Sequence, residues 1–391
     1  MNGPYQPRLV DPLLSELVAE VPAVSLIGPR ASGKTTTAAR HAGAVVHLDR
    51  PAEAGAFGAD PDAALRGLAE PVLLDEWQEV PGVLGALKRA VDADPRAGRF
   101  LLTGSVRADL ESHTWPGTGR VIHVPMTGLT QRELRGDAAA EPFLDRVARS
   151  GAGELRPPTT TLDLRDYLEL ALTGTFPEPA LRLSARGQRR WLASYVNQLL
   201  TRDAPAVEPG RDPERLRRFF EALALNTAGV VENATLYQAA GINRRTALAY
   251  EQLLRNMFIL DAVPAWFTNR LKRLVHTPKR YLVDPALLAA VVGLDIEAVL
   301  RDADLLGRLI DTFVVAQLRA ELPVSQHQPR LYHLRQEGGR REIDLIVELS
   351  GHRVIAIEIK ASANPGRDAT RHLAWLRDEL ADRFLHGLLL Y

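Results

Sequence analysis

A glycine-containing loop between an apolar segment and an alanine-rich segment constrains the fold of this chain more than any other feature. The run Ala23–Ile27 leads into Gly28, and after four intervening residues Gly33, Lys34 and Thr35 open a helix-like segment. A strand, a loop of this spacing and a helix are the context of a phosphate-binding loop. Its glycines let backbone N–H groups point toward phosphates, and the helix N-terminus adds its positive dipole end. The sequence therefore predicts an α/β core that binds a nucleotide.

The side chains of this loop have distinct expected roles toward ATP. Lys34 is predicted to reach the β- and γ-phosphates, and the Thr35 hydroxyl is predicted to ligate Mg²⁺. The alternative is an ordinary glycine-containing turn between a strand and a helix. The chain matches the phosphate-binding loop at all four positions that the pattern specifies (Gly28, Gly33, Lys34 and Thr35), which disfavours this alternative. The residues predicted to bind ATP are Gly28, Pro29, Arg30, Ala31, Ser32, Gly33, Lys34, Thr35, Thr36, Asp75 and Ser105.

Two further apolar strands end in polar residues that complete such a site. One precedes Asp75 and Glu76, and the other ends at Ser105. Asp75 is predicted to ligate Mg²⁺, and Glu76 to be the catalytic base that polarises the attacking water; the alternative for this pair is an acidic helix N-cap. Ser105 is predicted to sense the γ-phosphate. Further candidates for charge stabilisation, against the alternative of ordinary solvated arginines, are Arg107 and Arg120.

Together these motifs resemble a large group of prokaryotic ATPases with an AAA-type core and a C-terminal domain of unknown function. The residues that carry the resemblance are 28–36, 75–78, 102–105, 119–120, 171–179 and 194–203. The resemblance implies an α/β fold with a P-loop NTPase (AAA-like) core, a helical lid and a winged-helix segment. It also implies a C-terminal α/β domain like that of restriction endonucleases.

The middle of the chain has the pattern of a winged helix-turn-helix. Three helical patterns are followed by two strand patterns within residues 213–284, which is the order of that motif. Arg244 and Arg245 open the third helix and are predicted to contact nucleic acid. The alternative is a module that only packs against neighbouring domains. The residues predicted to form an exposed basic wing are Arg270, Lys272, Arg273, Lys279 and Arg280.

The segment 341–360 predicts a β-hairpin. Apolar and charged residues alternate with a period of two on both sides of a turn at 350–352, as in strands with one buried face. A three-residue turn that contains Gly pairs Leu349 with Arg353. This register places the charged residues of both strands on one face.

In that register Asp344 faces Glu358, and Glu342 faces Lys360. Facing carboxylates repel each other, so we expect a cation beside them. The arrangement resembles the restriction-endonuclease fold, which implies Mg²⁺ or Mn²⁺ bound by Asp344 and Glu358, with Asp311 of the preceding helix as third ligand. The resemblance also implies that Lys360 is catalytic toward water and phosphate. The alternative is an inactive hairpin neutralised by salt bridges, for example between Glu342 and Lys360.

Composition excludes several kinds of chemistry. The 391 residues include no Cys, which excludes disulfides, thiolate zinc sites and cysteine catalysis and fits a reducing cytoplasm. The net charge is zero, so contact with nucleic acid requires a local basic surface. Only five of the 48 basic residues are Lys, which favours specific roles for Lys34 and Lys360. The sequence predicts neither a signal peptide nor a membrane span, and we expect a cytoplasmic protein.

These patterns predict four parts. They are a P-loop ATPase core (1–149), a linker and helical connecting segment (150–205), a winged-helix-like domain (206–284) and a restriction-endonuclease-like domain (285–391). We expect ATP and Mg²⁺ as cofactors, Mn²⁺ as an alternative at the nuclease-like site, and nucleic acid, DNA in preference to RNA, as partner; a homo-oligomer stays open. The predicted function is ATP hydrolysis coupled to a DNA-directed, nuclease-like module. The alternative is a nucleotide-dependent switch or scaffold with an inactive nuclease fold.

Overall fold

The computed structural model describes residues 5–106, 118–155, 162–274, 276–362 and 364–391. They form two compact units. The first unit comprises residues 1–139, 176–178 and 254–258, and the second comprises 140–175, 179–253 and 259–391. Arg107, a predicted charge-stabilising residue, lies outside the described residues. Among the described residues, no helix has both the length and the apolar character needed to cross a membrane.

The first unit is built around a five-stranded parallel sheet in the order β2-β3-β4-β1-β5. Its elements in chain order are α1 (Asp11–Glu20), β1 (Ala23–Ile27), α2 (Lys34–Ala39), β2 (Ala44–His47), α3 (Pro51–Ala59), α4 (Pro61–Leu65), β3 (Val72–Asp75), α5 (Val83–Ala93), β4 (Phe100–Gly104), β5 (Val121–Pro125) and α6 (Gln131–Leu134). β1, β3 and β4 are buried along their whole lengths, because helices cover both faces of a parallel sheet and its strands are apolar throughout.

The parallel register brings the predicted nucleotide-binding residues to one edge of this sheet. Ile27 at the end of β1 pairs with Gly104 of β4 and with Pro125 of β5. His47 at the end of β2 pairs with Asp75 at the end of β3. Ligands of open parallel sheets bind at the carboxyl ends of the strands, so the fold itself assembles the loop and both strand-end motifs.

The elements that follow α6 belong mainly to the second unit. In chain order they are α7 (Phe143–Ser150), α8 (Leu164–Thr173), α9 (Pro177–Arg182), α10 (Ala185–Gln198), α11 (Ala204–Val207), α12 (Pro213–Leu225), α13 (Asn233–Ala239), α14 (Arg244–Asn256), β6 (Leu260–Val263), α15 (Arg270–Arg273), β7 (Lys279–Leu282), α16 (Ala286–Val292), α17 (Ile296–Arg301), α18 (Ala303–Glu321), β8 (Arg330–Gln336), β9 (Arg341–Glu348), β10 (Val354–Ile359), α19 (Arg371–Leu380) and β11 (Phe384–Leu390). Helices α12 to α14 precede the antiparallel pair β6–β7 in the order that the sequence predicts. The winged-helix interpretation of this order stays a prediction.

The second unit contains a four-stranded sheet in the order β11-β10-β9-β8. β9 pairs with β8 and β10 in antiparallel fashion, and β10 pairs with β11 in parallel. One face of the sheet packs on α18 through Val315 and Leu318. The opposite face packs on α19 through Leu373 and Leu376. The period-two pattern of 341–360 therefore separates two buried faces, except where the charged residues lie.

The predicted register of the β9–β10 hairpin is confirmed. The N–H of Leu349 donates to the carbonyl of Arg353 at 2.8 Å, and the ladder continues to the pair Leu345–Ile357. There it ends, and the N–H of Ile359 donates instead to Oδ2 of Asp344 at 2.9 Å. A side-chain carboxylate thus takes over as acceptor where backbone pairing stops.

The predicted pairing of Glu342 with Lys360 is wrong for the same reason. Beyond the end of the β9–β10 ladder, Glu342 pairs with Arg335 of β8, and Lys360 contacts Glu358. The salt bridge proposed as an alternative neutralisation of the hairpin is therefore not the one that forms.

A substitution at Gly28 tests how closely the end of β1 must approach the segment after β5. The N–H of Met126 donates to the carbonyl of Ile27 at 2.8 Å, and a Cβ built on Gly28 would lie 2.0 Å from the Met126 carbonyl oxygen. Gly28→Ala is therefore expected to destabilise the protein by about 1–3 kcal/mol, the usual range for overpacking. Gly82→Ala is the matched control, because a Cβ there meets no atom within 4 Å. Equal urea midpoints for the two variants would contradict the prediction.

Candidate functional site

The phosphate-binding loop of the first unit is curled around its own lysine. Ala31 and Gly33 have φ values of +61° and +91°, so the chain turns sharply before α2 begins at Lys34. The Lys34 ammonium donates to the carbonyls of Gly28 at 3.0 Å and Pro29 at 2.8 Å. Burial lowers the pKa of Lys34 to about 8, although nearby acidic groups oppose this shift. The loop thus holds a buried ammonium in place through two of its own carbonyls.

One hydroxyl of the loop is buried without a partner. Ser32 Oγ has no hydrogen-bond partner among the described residues, and buried polar groups without partners are rare. The Ser32 carbonyl, in contrast, accepts a hydrogen bond from Arg8 at 2.9 Å. A ligand oxygen in the loop would satisfy the hydroxyl, which agrees with the predicted contact of Ser32 with ATP.

Asp75 is the centre of a hydrogen-bond network at the carboxyl edge of the sheet. Its Oδ1 accepts from Thr35 Oγ1 at 2.6 Å and from Thr103 Oγ1 at 2.5 Å. Its Oδ2 lies 3.0 Å from His47 Nδ1. Ligand atoms of His47, Asp49 and Asp75 lie within 4.8 Å of one another. Oxygen donors from Thr35 and Asp75 at one point fit Mg²⁺.

Glu76, the predicted base, is held by three neighbours. It adopts a left-handed backbone conformation with φ of +52°, and its N–H donates to Thr103 Oγ1 at 3.2 Å. Its carboxylate accepts from Ser105 Oγ at 3.2 Å and contacts the Gln78 amide. Ser105 also accepts from Arg30 Nε at 3.4 Å. The predicted sensor, the predicted base and a loop residue are therefore linked directly.

Two residues of this site were missed in the sequence, although each lies at the end of a strand. Thr103 lies in the same strand-end motif as Ser105, and of these two residues it is Thr103 that donates to Asp75. His47 ends β2 beside Asp75, and a histidine at a strand end was the available signal. The sequence gives the strand ends but does not say which strands are neighbours, so it could not select these two residues.

Arg8 is a further residue that sequence reasoning missed. It is 4% exposed and donates to the carbonyls of Ser32, Thr127 and Gly128 at 2.8–2.9 Å. Its Nε donates to Glu133 at 3.0 Å. It thus ties the loop backbone to the segment after β5. An arginine near the N-terminus of an arginine-rich chain carries no local signal of this role.

Arg120 does not join the phosphate-binding loop of its own chain. It precedes Val121, which pairs with Ala23 at the start of β1, whereas the loop follows the end of β1. Arg120 instead donates to Asp92 of α5 at 2.5 Å. The prediction that Arg120 stabilises charge at the loop of its own chain is wrong, because Arg120 lies at the edge of the sheet where β1 begins and the loop lies at the edge where β1 ends.

The second unit brings the predicted metal ligands together around an unexpected lysine. Lys279 Nζ donates to Asp344 Oδ1 at 2.9 Å and lies 3.7 Å from Asp311 Oδ2. Lys360 Nζ donates to Glu358 Oε1 at 2.5 Å. We call these five residues the carboxylate cluster.

When all its groups are ionised, the carboxylate cluster has an excess of negative charge, and this excess shifts the pKa values of its carboxyl groups. Burial and the Asp344 charge raise the pKa of Asp311 to about 7, and the same causes raise that of Glu358 to about 7. Burial would also raise the pKa of Asp344, but the Lys279 charge and the Ile359 hydrogen bond hold it below its ordinary value. Glu358 Oε2 is buried and has no hydrogen-bond partner among the described residues. These oxygen donors fit a hard divalent cation such as Mg²⁺ or Mn²⁺.

The prediction of an exposed basic wing is wrong for three of its five residues. Lys279 and Arg280 are 3% and 4% exposed, because all four residues of β7 are buried inside the second unit. Arg280 donates to Glu251 at 3.1 Å, and Arg273 contacts Glu348. The two wing residues that are exposed are Arg270 and Lys272.

Arg244 and Arg245 are the first two residues of α14, and both are exposed. The side chain of Asn243 accepts a hydrogen bond from the N–H of Thr246 at 2.9 Å and so caps this helix. The two arginines therefore lie on an ordered first turn. Their contact with nucleic acid stays a prediction.

Comparisons with known families match three segments of the chain. A family described as "AAA domain" matches residues 20–135. Two families described as domains of unknown function (DUF8612 and DUF4143) match residues 164–298 and 306–391. With the geometry of the loop, the first match supports a P-loop, AAA-type ATPase core that binds nucleotide in the first unit.

Individual relatives match most of the chain. Uncharacterized proteins of Mycobacterium tuberculosis and Mycobacterium bovis are each 29% identical over 374 residues, which cover 94% of this chain and 77% of the relative. Among solved structures, the Walker-type ATPase of Pyrococcus abyssi is similar, with a TM-score of 0.45 and 14% identity. The similarity covers 72% of this chain and 94% of that one.

Thr103 offers a test of the Asp75 network. Thr103→Val keeps the side-chain shape and removes the hydroxyl that donates to Asp75. Loss of a group that orients a metal ligand commonly costs about 10- to 100-fold, so we expect ATP hydrolysis to fall by that factor and to recover in part at high Mg²⁺. Thr103→Ser is the control that keeps the hydroxyl. Phosphate release by Thr103→Val at the wild-type rate, at every Mg²⁺ concentration, would contradict this role.

Proposed function

We propose that this chain binds and hydrolyses ATP at the phosphate-binding loop of its first unit. The observation that supports this most strongly is the Asp75 carboxylate, which accepts hydrogen bonds from Thr35 and Thr103 at 2.6 and 2.5 Å. In P-loop NTPases a loop threonine and a strand-end aspartate together hold Mg²⁺. The two proposed Mg²⁺ ligands, Thr35 and Asp75, therefore lie in direct contact with each other.

Each group has a defined part in this proposal. Lys34 exchanges its two loop carbonyls for the β- and γ-phosphate oxygens, to which a charged donor binds more strongly. Mg²⁺, when bound to Thr35 and Asp75, neutralises charge on the phosphates. Glu76, oriented by its contact with Ser105, accepts a proton from the attacking water.

Two substitutions separate binding from hydrolysis. Lys34→Ala is expected to lose ATP affinity, because the charged phosphate donor is gone. Glu76→Gln is expected to keep affinity and to lose turnover by about 10²- to 10⁴-fold, the usual contribution of a general base. Lys88→Ala, at an exposed lysine paired with Asp92, is the control for loss of a lysine. Binding and phosphate release check both; turnover by Glu76→Gln at the wild-type rate would exclude Glu76 as the base.

We also propose that the carboxylate cluster is a metal-dependent site of a DNA-directed, nuclease-like module, whose action depends on the nucleotide state. What supports this is the unpartnered, buried Glu358 Oε2 in a cluster with excess negative charge. Asp311, Asp344 and Glu358 are the ligands in this proposal. Lys360 contacts Glu358 and acts on water and on phosphate charge. The exposed arginines of α14 are proposed to contact DNA phosphates.

Lys279 favours a second candidate, a nucleotide-dependent switch or scaffold with an inactive nuclease fold. Its ammonium already lies 2.9 Å from Asp344 and 3.7 Å from Asp311. A buried ammonium can stabilise facing carboxylates without a metal ion. The two candidates differ in whether the cluster responds to a divalent cation.

A Mn²⁺ titration distinguishes the two candidates when Lys34→Ala blocks the ATP site. If the cluster binds metal, the melting temperature rises with Mn²⁺, and at 100 times Kd the stabilisation is about 2.7 kcal/mol. Asp344→Asn is expected to abolish this response. Lys360→Ala is expected to keep it and to lose plasmid cleavage. If the melting temperature does not change with Mn²⁺ concentration, the result would instead favour the inactive fold, in which Lys279 neutralises the carboxylates.

A further inference from the structure

The second unit has a cleft of about 840 Å³ that none of the sites above uses. It lies among the segment after β6, the ends of β8 and β9, and α19. Five aromatic rings line it, those of Trp266, Phe267, His276, His333 and Trp375. Phe267 and Trp375 are partly exposed, so the cleft presents ring surface to solvent.

These rings are arranged as stacking surfaces. Phe267 and His276 are stacked, with ring centroids 4.4 Å apart and an interplanar angle of 23°. The Arg341 guanidinium lies 4.3 Å from the centroid of the Trp375 ring. Aromatic rings and arginine planes of this kind are the surfaces on which unpaired bases stack.

The charged groups that line the cleft include more cations than anions. The cations are Lys272, Arg335 and Arg341, and the anions are Glu232 and Glu379. Lys272 and Arg335 are exposed, and Arg335 lies 3.9 Å from Glu342. An aromatic ligand with negative charge therefore fits the cleft better than a neutral one.

The lining also includes two buried ring nitrogens without hydrogen-bond partners among the described residues, Trp266 Nε1 and His333 Nδ1. His333 Nε2 lies 3.2 Å from the carbonyl of Thr277, so Nε2 carries the proton and Nδ1 is an acceptor. Solvent reaches neither nitrogen, so the cleft meets a ligand through its ring surfaces and its cations.

His333 connects the cleft to the carboxylate cluster. It lines the cleft, and burial together with the Lys279 charge lowers its pKa to about 4. Thr277, its hydrogen-bond partner, is two residues before Lys279 in the chain. His333, a residue of the cleft wall, therefore responds to the charge of Lys279, a residue of the cluster.

We propose that this cleft binds an unpaired nucleotide of a single-stranded nucleic acid. The base lies against Phe267 and Trp375, and its phosphates lie against Lys272 and Arg335. This inference rests on the proposed nucleic-acid-directed function and names its substrate class. It also explains why a cleft with both ring surface and cations lies beside a cluster of candidate metal ligands.

The test is binding of a fluorescent 12-residue oligothymidylate to the full chain in EDTA, so that no cleavage occurs. The comparison is an abasic strand with the same number of phosphates. We expect about 5- to 150-fold tighter binding of the oligothymidylate, since stacking of one base on an aromatic ring contributes that factor. Phe267→Leu is expected to remove this preference, and Tyr391→Leu, at an exposed tyrosine outside the cleft, is expected to keep it.

A second variant covers a failure of Phe267→Leu to fold. Arg335→Gln changes an exposed side chain and is expected to weaken both strands and to reduce the salt dependence, because one phosphate contact is lost. Equal affinity of the wild type for the two strands would overturn the proposal. A competition experiment gives a second check, with a polyglutamate peptide of equal charge as the competitor. If this peptide displaces the labelled strand at the same concentration as unlabelled oligothymidylate does, the proposal is also overturned, because the cleft would then bind any anion without recognising a base.

The outcomes separate this inference from the proposed function. Duplex binding that requires Arg244 and Arg245, without a base preference at Phe267, would overturn the cleft alone. No binding of any strand or duplex would overturn both. A base preference that depends on Phe267 in a protein that never cleaves DNA would support the cleft and overturn the nuclease proposal.

Discussion

The second unit depends on the compensation of one buried ammonium. Lys279 is 3% exposed, and a buried charge without a partner costs several kcal/mol. Asp344 of β9 and Asp311 of α18 provide the compensation at 2.9 and 3.7 Å. β7 is thereby fixed to a strand and a helix that follow it in the chain. The cost of burying Lys279 without a partner explains why an acidic residue, Asp344, interrupts an otherwise apolar hairpin.

The first unit also contains buried cations, and different partners compensate their charges. Arg8 is buried and donates to three backbone carbonyls and to Glu133. Lys34 is buried and donates to two carbonyls of its own loop. The difference matters for function. The partners of Arg8 are fixed parts of the fold, whereas a phosphate offers Lys34 a charged partner in place of neutral ones.

The local parts of both sites could be predicted from the sequence, and the long-range parts could not. The spacing around Lys34 identifies the loop, and the Gly-containing turn fixes the register at Leu349 and Arg353, because both depend only on neighbouring residues. Arg8 contacts Glu133 and Lys279 contacts Asp344, which are 125 and 65 residues away in the chain, and no local pattern reveals such partners. The scarcity of lysine was nevertheless a usable signal. It favours specific roles for Lys34 and Lys360, and the same scarcity argues against an exposed position for Lys279.

The charges of the carboxylate cluster bear on how many ions it can hold. Its three carboxylates and two ammonium groups leave one negative charge in excess when all are ionised. Each carboxylate oxygen has more than one lone pair, so Asp344 can contact a cation while it still accepts from Lys279. In the proposed metal site, one divalent ion would change this balance to one excess positive charge, which a bound phosphodiester would offset. A second ion would leave three excess positive charges in a buried site, so the proposed site would hold one ion, with Lys279 in place.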